Sequence, residues 1–125
     1  MSAERRFLDS HSYEVKNLWK IAENKPIIEI PHTTLETSHK KRHWTCKVGK
    51  PISAFEVLQN PALAPDHAKK VDNAKLDYPI ILAASNLDIL DGLHRLNKSM
   101  KLGRREIKAQ LVSVGDLKIN ERLLG

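Results

Sequence analysis

Residues 79–103 read PIILAASNLDILDGLHRLNKSMKLG, and this stretch decides the fold. The apolar run at 79–83 predicts a buried strand, and 87–90 predicts a second strand that pairs with the first across a short polar turn. Over 93–102 the apolar residues recur three or four positions apart, which is the spacing of a helix, and Gly103 is typical of a helix end. The stretch therefore predicts a strand hairpin that runs directly into an amphipathic helix.

Helices and strands alternate irregularly on both sides of this stretch. Upstream, the sequence predicts a helix over 13–23 with Ser12 as its cap, an edge strand over 27–30 and a polar irregular segment over 32–50. It then predicts a short helix that begins after Ser53 and ends at 60–61, and a second helix that begins after 65–66 and runs to 75. Downstream, it predicts a strand over 106–114 and either a short helix or a loose tail over 115–125. Because no regular strand–helix–strand repeat is present, we expect the α+β class, as one compact domain over 1–125 with a small mixed sheet and flanking helices.

The composition is that of an ordinary globular chain with a basic surface. Of 125 residues, 41% are hydrophobic, and 21 lysines and arginines against 15 acidic residues give a formal net charge of +6. Such a surface favours anionic partners, which include nucleic acid, nucleotides and phosphorylated metabolites. The longest apolar run, 78–84, is far shorter than the roughly 20 residues that span a bilayer, so we expect no membrane helix.

The amino terminus and the cysteine content indicate the compartment. Residues 1–9 turn acidic before an apolar segment can form, which is unlike a secretory signal. Cys46 is the single cysteine, so the chain cannot form an internal disulfide. We therefore expect a cytoplasmic protein in a reducing compartment.

The junction Asp91-Gly92-Leu93-His94-Arg95 carries the clearest chemistry. The first N–H groups of a helix have no partner within the helix and lie at the positive end of its dipole, so a phosphate there gains several donors at once. Gly92, interpreted as the first helical residue, lets phosphate oxygens approach the backbone, while His94 and Arg95 add side-chain donors. Asp91 is interpreted as the N-cap, or as a ligand of a metal ion that bridges phosphates. The alternative is an ordinary capped turn with His94 and Arg95 on the surface.

Four segments together resemble the ParB/sulfiredoxin superfamily, namely 78–82, 89–96, 101–103 and 107–109. Their centre is similar to the Asp-Gly-x-His-Arg signature, and the resemblance covers 76–113, while 27–35 is more weakly similar to the first strand of that superfamily. The resemblance implies a ParB/sulfiredoxin-like fold that binds the phosphates of ATP, ADP or CTP. It implies that Gly92, Leu93, His94 and Arg95 bind these phosphates.

The sequence departs from two branches of that superfamily. Sulfiredoxin has its reactive cysteine immediately before the motif histidine, where this chain has Leu93, so sulfinic acid reduction is not expected. Chromosome-partitioning ParB proteins have an arginine-rich box and continue into helix-turn-helix and dimerisation regions, whereas this motif has one arginine and the chain ends soon afterwards. The remaining precedents are small phosphotransferases that resemble free serine kinase, and proteins described as ParB-like nucleases.

A phosphotransferase needs a divalent metal and a carboxylate that orients or deprotonates the acceptor hydroxyl. Similarity to serine-kinase-like members makes Glu36, which follows the first strand, one candidate catalytic residue. Asp91 is the other, and it is also the candidate Mg²⁺ ligand. Glu29 and Asp88 are alternatives, and Glu36 is equally interpreted as an exposed loop carboxylate.

These observations predict a nucleotide-binding domain that uses ATP or a related nucleotide with Mg²⁺. We expect it to transfer a phosphoryl group to a small hydroxyl compound or to hydrolyse the nucleotide. One alternative is a ParB-like DNA-binding or nuclease module that uses the same site on backbone phosphate. A third is a nucleotide sensor without turnover.

Residues 38–46 give weaker signals. His39, His43 and Cys46 have a spacing that could supply three zinc ligands, but a fourth is not evident and the neighbouring basic residues disfavour a dication. The basic run 38–44 ends in Trp44, a pairing found where nucleic acid is bound, although a loop anchored to the core by Trp44 is favoured. Trp19 is likewise predicted to make a core contact.

Overall fold

The computed structural model describes residues 5–8 and 11–124. In chain order the elements are β1 (Arg5–Leu8), β2 (His11–Glu14), α1 (Val15–Ala22), β3 (Ile28–Pro31), a 3₁₀ turn (His32–Leu35), α2 (Glu36–His39), β4 (Trp44–Thr45), β5 (Pro51–Ile52), α3 (Ala54–Gln59), a second 3₁₀ turn (Pro61–Leu63), α4 (Pro65–Asn73), β6 (Ile80–Ala83), β7 (Ile89–Asp91), α5 (Leu93–Lys101), β8 (Glu106–Val112) and α6 (Val114–Leu124). Helices around a mixed sheet confirm the α+β class predicted from the sequence.

The central sheet has four strands in the order β3, β8, β6, β7. β8 runs antiparallel to β3, with Ala109 opposite Ile28, and parallel to β6, with Ala109 opposite Ile80. β7 pairs antiparallel with β6 and reaches Asp91, which lies opposite Ile81. β3 is therefore an edge strand, as the proline-bounded run predicts, because proline cannot donate to a neighbouring strand.

Both faces of the sheet are covered, which explains why β6 is an uninterrupted apolar run. Ile81 and Ala83 pack with residues of β2, α1 and α6 on one face. Ile80 and Leu82 pack with Leu96 of α5 on the other. Since each large aliphatic side chain that is fully buried contributes about 1.5–3 kcal/mol, this double burial fixes β6 and the elements that follow it.

A smaller apolar cluster joins the β4–β5 hairpin to α3 and α4. Its buried members are Trp44, Ile52, Ala54, Val57, Ala64 and Val71. Ser53 begins α3 as predicted, because its hydroxyl accepts the Glu56 N–H while the Glu56 carboxylate accepts the Ser53 N–H, each at 3.1 Å. Half-buried Leu93 packs against this cluster and against the sheet, so it links the cluster to the start of α5.

The structure corrects the sequence predictions at three places. α1 begins at Val15, and Ser12 does not cap it, because β2 pairs with β1 in a hairpin. The segment 32–50 is not irregular, since it contains a 3₁₀ turn, α2 and β4. β7 begins at Ile89 rather than at 87, since Leu87 has a φ of +62° and lies in the turn before the strand. Of the two alternatives for the segment after β8, the helix is present as α6. Within the described residues, no helix combines the length and the apolar character needed to cross a membrane.

Candidate anion-binding site

The site is the junction at which β7 ends and α5 begins. Asp91 is the last residue of β7 rather than the N-cap, because it pairs with Ile81 and is extended. Gly92 is the N-cap rather than the first helical residue, and its carbonyl accepts the Leu96 N–H at 3.0 Å. The sequence interpretation of both residues was wrong by one position, while the predicted strand-turn-helix geometry is present.

Gly92 is required by the fold for two reasons. Its φ is +114°, a left-handed conformation that side chains rarely adopt. A Cβ added there would lie 2.5 Å from Ile80 Cγ2 and 2.8 Å from Ile80 Cβ. The absence of a side chain thus allows the junction to cross closely over β6, a constraint separate from any ligand.

No side chain caps α5 among the described residues. The N–H groups of Leu93, His94 and Arg95 occupy the first helical positions, so no carbonyl within the helix can accept them. The positive end of the helix dipole lies at the same place. These three predicted binding residues therefore present backbone donors together, and the contribution of Leu93 is its N–H, since its side chain packs into the interior.

Two cavities flank the junction and share Asp91, Gly92 and His94. The first cavity, of about 430 Å³, is lined by Arg6, Tyr13, His43, Trp44, Asp88, Ile89, Leu90, Asp91, Gly92, Leu93 and His94. The second, of about 360 Å³, is lined by Lys70, Asn73, Ala74, Lys75, Tyr78, Asp91, Gly92, His94 and Arg95. Both volumes are in the range of small-molecule sites.

The second cavity is strongly cationic. Lys70, Lys75 and Arg95 line it against the single carboxylate of Asp91. The two lysines form no ion pair and no side-chain hydrogen bond with the other described residues. Arg95 donates to the Pro79 carbonyl at 2.8 Å, and its other terminal nitrogen lies 3.8 Å from Asp91 Oδ2. The arginine is thus fixed beside the cavity with several N–H groups still available.

The first cavity has a balanced charge. Asp88 and Asp91 line it, and Lys41 donates to both carboxylate oxygens of Asp88 at 2.7 Å. Arg6 also lines the cavity and donates to the Leu90 carbonyl. An anion therefore gains more from the second cavity, whereas the first has the carboxylates that could orient a polar, uncharged group.

His94 is held in a stack of three rings. Its ring lies 4.6 Å from Trp44 and 5.2 Å from His67, measured between centroids, and His67 lies 4.2 Å from Trp44. His94 Nε2 is 2.9 Å from His67 Nδ1. Burial, followed by the interaction with His67 and then by the positive charge of Lys70, lowers the pKa of His94 to about 4.

The ring of His94 is therefore neutral at pH 7, and one nitrogen is already bonded. Its predicted part in phosphate binding is limited to the backbone N–H and to Nδ1. The sequence does not reveal His67 as a neighbour of the site, because the stack joins residues from α4, α5 and β4 that no local pattern connects. Trp44 is buried, as predicted.

Trp19 is not in the core. Its side chain is 54% exposed, and its Nε1–H donates to Asp91 Oδ2 at 3.0 Å. The core contact predicted for Trp19 was wrong, because the periodic face of α1 turns Leu18 and Ala22 inward and leaves Trp19 beside the junction. The indole instead orients the carboxylate shared by the two cavities.

The other carboxylates predicted from the sequence lie in different places. Glu36 begins α2, is exposed, and lines neither cavity. Glu29 lines a separate cavity of about 160 Å³ beside β8. Of these alternatives, only Asp88 lies at the site, on the wall of the first cavity.

Side chains placed to hold a metal ion are few in the part of the chain that the structure describes. Among the described residues no three His, Cys, Asp or Glu side chains are close enough to hold a metal ion. The zinc hypothesis fails at His39, which is buried with Nε2 2.6 Å from Asn97 Oδ1. Mg²⁺ needs fewer protein ligands, because phosphates and water complete its shell, and Asp91 fits as one such ligand through Oδ1, which accepts no hydrogen bond from the described residues.

Comparisons of the chain with protein-family models, with curated proteins and with solved structures gave no match.

Proposed function

We propose that this protein binds a nucleotide by its phosphates in the second cavity, at the N-terminus of α5. The observation that carries the proposal is the convergence of Lys70, Lys75 and Arg95 with an uncapped helix N-terminus on one cavity of about 360 Å³. Two of these three cations, Lys70 and Lys75, have no ion pair within the described part of the chain, so their charges are available to an anion. The resemblance of the junction to the ParB/sulfiredoxin signature supports ATP, ADP or CTP as the ligand.

Backbone N–H groups, one arginine and two lysines each contact the phosphates in a different way. The N–H groups of Leu93, His94 and Arg95 donate to phosphate oxygens, and the helix dipole favours the negative charge. The Arg95 guanidinium, already fixed by the Pro79 carbonyl, offers a planar pair of donors. Lys70 and Lys75 neutralise the remaining charge. Each charge-assisted hydrogen bond contributes about 1.5–3 kcal/mol, and together these bonds offset the translational and rotational freedom that the ligand loses on binding.

The proposed reaction is transfer of the terminal phosphoryl group to a hydroxyl compound, or to water, in the first cavity. The acceptor oxygen forms a bond to the terminal phosphorus, and the bond between that phosphorus and the bridging oxygen breaks. The proton of the acceptor passes to Asp88, which Lys41 holds on the cavity wall. Mg²⁺, when bound with the nucleotide, offsets the phosphate charge, and Asp91 would hold it. Glu36 lines neither cavity, so Asp88 takes the catalytic role here.

A thermal-shift screen with ATP, ADP, CTP and GTP, each with and without Mg²⁺, tests binding. At least one nucleotide is expected to raise the melting temperature, because a ligand that binds only the folded state stabilises it. The double variant Lys70→Gln/Lys75→Gln should lose most of this shift. Lys69→Gln is the matched control, since Lys69 is exposed on the same helix and lines neither cavity.

Either of two results contradicts the binding proposal. One is the absence of a shift with every nucleotide, and the other is an equal loss of the shift in the double variant and in Lys69→Gln. DNA binding that weakens steeply with salt, in a protein without nucleotide affinity, would instead assign the junction to backbone phosphate.

Two carboxylate variants test the reaction. Asp91→Asn should keep the Mg²⁺-independent shift and lose the additional shift that Mg²⁺ gives, because an amide oxygen is a poorer Mg²⁺ ligand than a carboxylate. Asp88→Asn should keep both shifts and reduce ADP release from ATP by about 100-fold, the usual effect of a general base. Unchanged ADP release in Asp88→Asn would remove Asp88 from the reaction. A wild-type protein that binds nucleotide and releases no ADP would be a sensor without turnover.

A further inference from the structure

Tyr78 is a large exposed side chain on the wall of the cationic cavity. The residue is 60% exposed to solvent. It lines the second cavity with Lys70, Lys75 and Arg95. The other tyrosine of the chain, Tyr13, is 1% exposed and belongs to the core. An isolated exposed aromatic is ordinary on a protein surface, but this one borders the proposed phosphate site.

The surroundings of Tyr78 hold its backbone and one side of its ring. The Arg95 guanidinium carbon lies 5.9 Å from the ring centroid. Pro79 follows Tyr78 directly and restricts its backbone, and the Pro79 carbonyl accepts the Arg95 hydrogen bond. A ring on a fixed backbone needs less ordering when a ligand binds, so less of the binding free energy is lost.

An exposed aromatic face beside several cations suits an aromatic ligand that carries phosphate. Bases stack on aromatic side chains through their π-faces, whatever the base, while the attached phosphates take the cations. A phosphorylated sugar or inorganic phosphate would use the lysines and Arg95 and leave the Tyr78 ring uncovered. The ring therefore distinguishes between ligand classes that the charges alone do not.

We infer that Tyr78 is the base-stacking residue of the second cavity and selects nucleotides over phosphate esters that lack an aromatic base. The inference rests on the proposed phosphate site, because the phosphates must be held at α5 for the base to reach Tyr78. It adds a specificity-determining side chain that the junction motif does not include.

Isothermal titration of the full chain with ATP and with inorganic tripolyphosphate tests this role. Tyr78→Ala is expected to weaken ATP binding by about 5- to 100-fold, the range found when a stacking residue is removed, and to change tripolyphosphate binding by less than about twofold. Tyr78→Phe keeps the ring and should retain ATP affinity within about threefold. Leu102→Ala is the control, since Leu102 is 58% exposed and lines neither cavity.

The possible outcomes distinguish a failure of the stacking role from a failure of the proposed phosphate site. If wild-type protein binds tripolyphosphate as tightly as ATP, or if Tyr78→Ala weakens both ligands equally, the stacking role is wrong and the phosphate site stands. If wild-type protein binds neither ligand, the proposed function fails and the inference fails with it. If Tyr78→Ala loses affinity for ATP alone, and Tyr78→Phe retains that affinity, the stacking role is supported.

Discussion

Gly92 occupies a position where both its conformation and its neighbours exclude a side chain. Its φ of +114° costs a non-glycine residue about 1–2 kcal/mol. The contact of an added Cβ with Ile80 Cγ2, at 2.5 Å, is a second and independent cost. Ile80 is fully buried in β6 and cannot move away without disturbing the sheet. Gly92 thus keeps β7, α5 and both cavities in their relative positions.

Gly92→Ala should therefore destabilise the fold by about 2–5 kcal/mol, the sum of the conformational cost and of overpacking against Ile80. Gly103→Ala is the matched control, because Gly103 has φ of +77° but no atom within 4 Å of an added Cβ. It should cost only about 1–2 kcal/mol. Urea denaturation of both variants measures the difference, and equal losses would show that the Ile80 contact relaxes freely.

His94 shows how a residue can belong to a binding site without its charge. The sequence predicts it as a side-chain donor to phosphate, yet burial, the neighbouring His67 and the charge of Lys70 lower its pKa to about 4. An imidazolium beside Lys70 and Arg95 would add repulsion to the cost of desolvation. The neutral ring instead packs between α4 and α5 through His67 and Trp44, and its backbone N–H remains at the phosphate position.

At the scale of elements, α5 is fixed at both of its faces. Its apolar face packs on β6 through Leu96. Asn97, 1% exposed, donates to the Ala54 carbonyl at 2.9 Å and lies 2.6 Å from His39 Nε2. Because the amide nitrogen is used on Ala54, its oxygen accepts from the His39 ring, so the helix is bonded to both α2 and α3. The N-terminus of α5 therefore presents its donors from a rigid element.

The elements around the junction could be predicted because their signals are local. The apolar run of β6, the periodicity of α5 and the stop at Gly103 each involve neighbouring residues, and the structure confirms them. β8 could be predicted in the same way, because apolar and polar residues alternate along it, and the structure confirms the strand. Burial on both faces of the sheet requires apolar residues at these positions, so the patterns are visible in the sequence before the tertiary structure is known.

The chemistry of the junction could be predicted only in part, because its partners are distant in sequence. Trp19 reaches Asp91 across 72 positions, and His67 reaches His94 across 27. Lys70 and Lys75 have no local pattern that separates them from other surface lysines, and only the fold places them at the cavity. Residues that act through long-range contacts leave no periodicity and no spacing for sequence reasoning to detect.

At the scale of the whole molecule, a set of histidines links stability to pH. The pKa values of five of the described histidines are lowered from 6.5, in each case mainly by burial, and they are His32, His39, His43, His67 and His94. Below pH 6.5 the unfolded chain therefore binds more protons than the folded one. The free energy of unfolding is highest above pH 6.5 and falls as the pH decreases towards the folded pKa values.

Urea denaturation between pH 7.5 and pH 5, without nucleotide, measures this dependence. His94 alone, with a folded pKa of about 4, should lower the free energy of unfolding by about 1–2 kcal/mol over that range, and the other four histidines act in the same direction. Burial raises the pKa of Asp116, but the hydrogen bonds that its carboxylate accepts from Lys25 and from the Ser113 N–H outweigh burial and lower that pKa from 3.8. Asp116 therefore does not interfere, because its contribution to stability is lost only below that pH. His94→Gln removes the group with the largest shift and should reduce the slope of stability against pH, whatever it does to stability at pH 7.5. A slope that is flat in the wild-type protein, or unchanged in His94→Gln, would contradict the neutral, stacked histidine and return His94 to the predicted role of a side-chain phosphate donor.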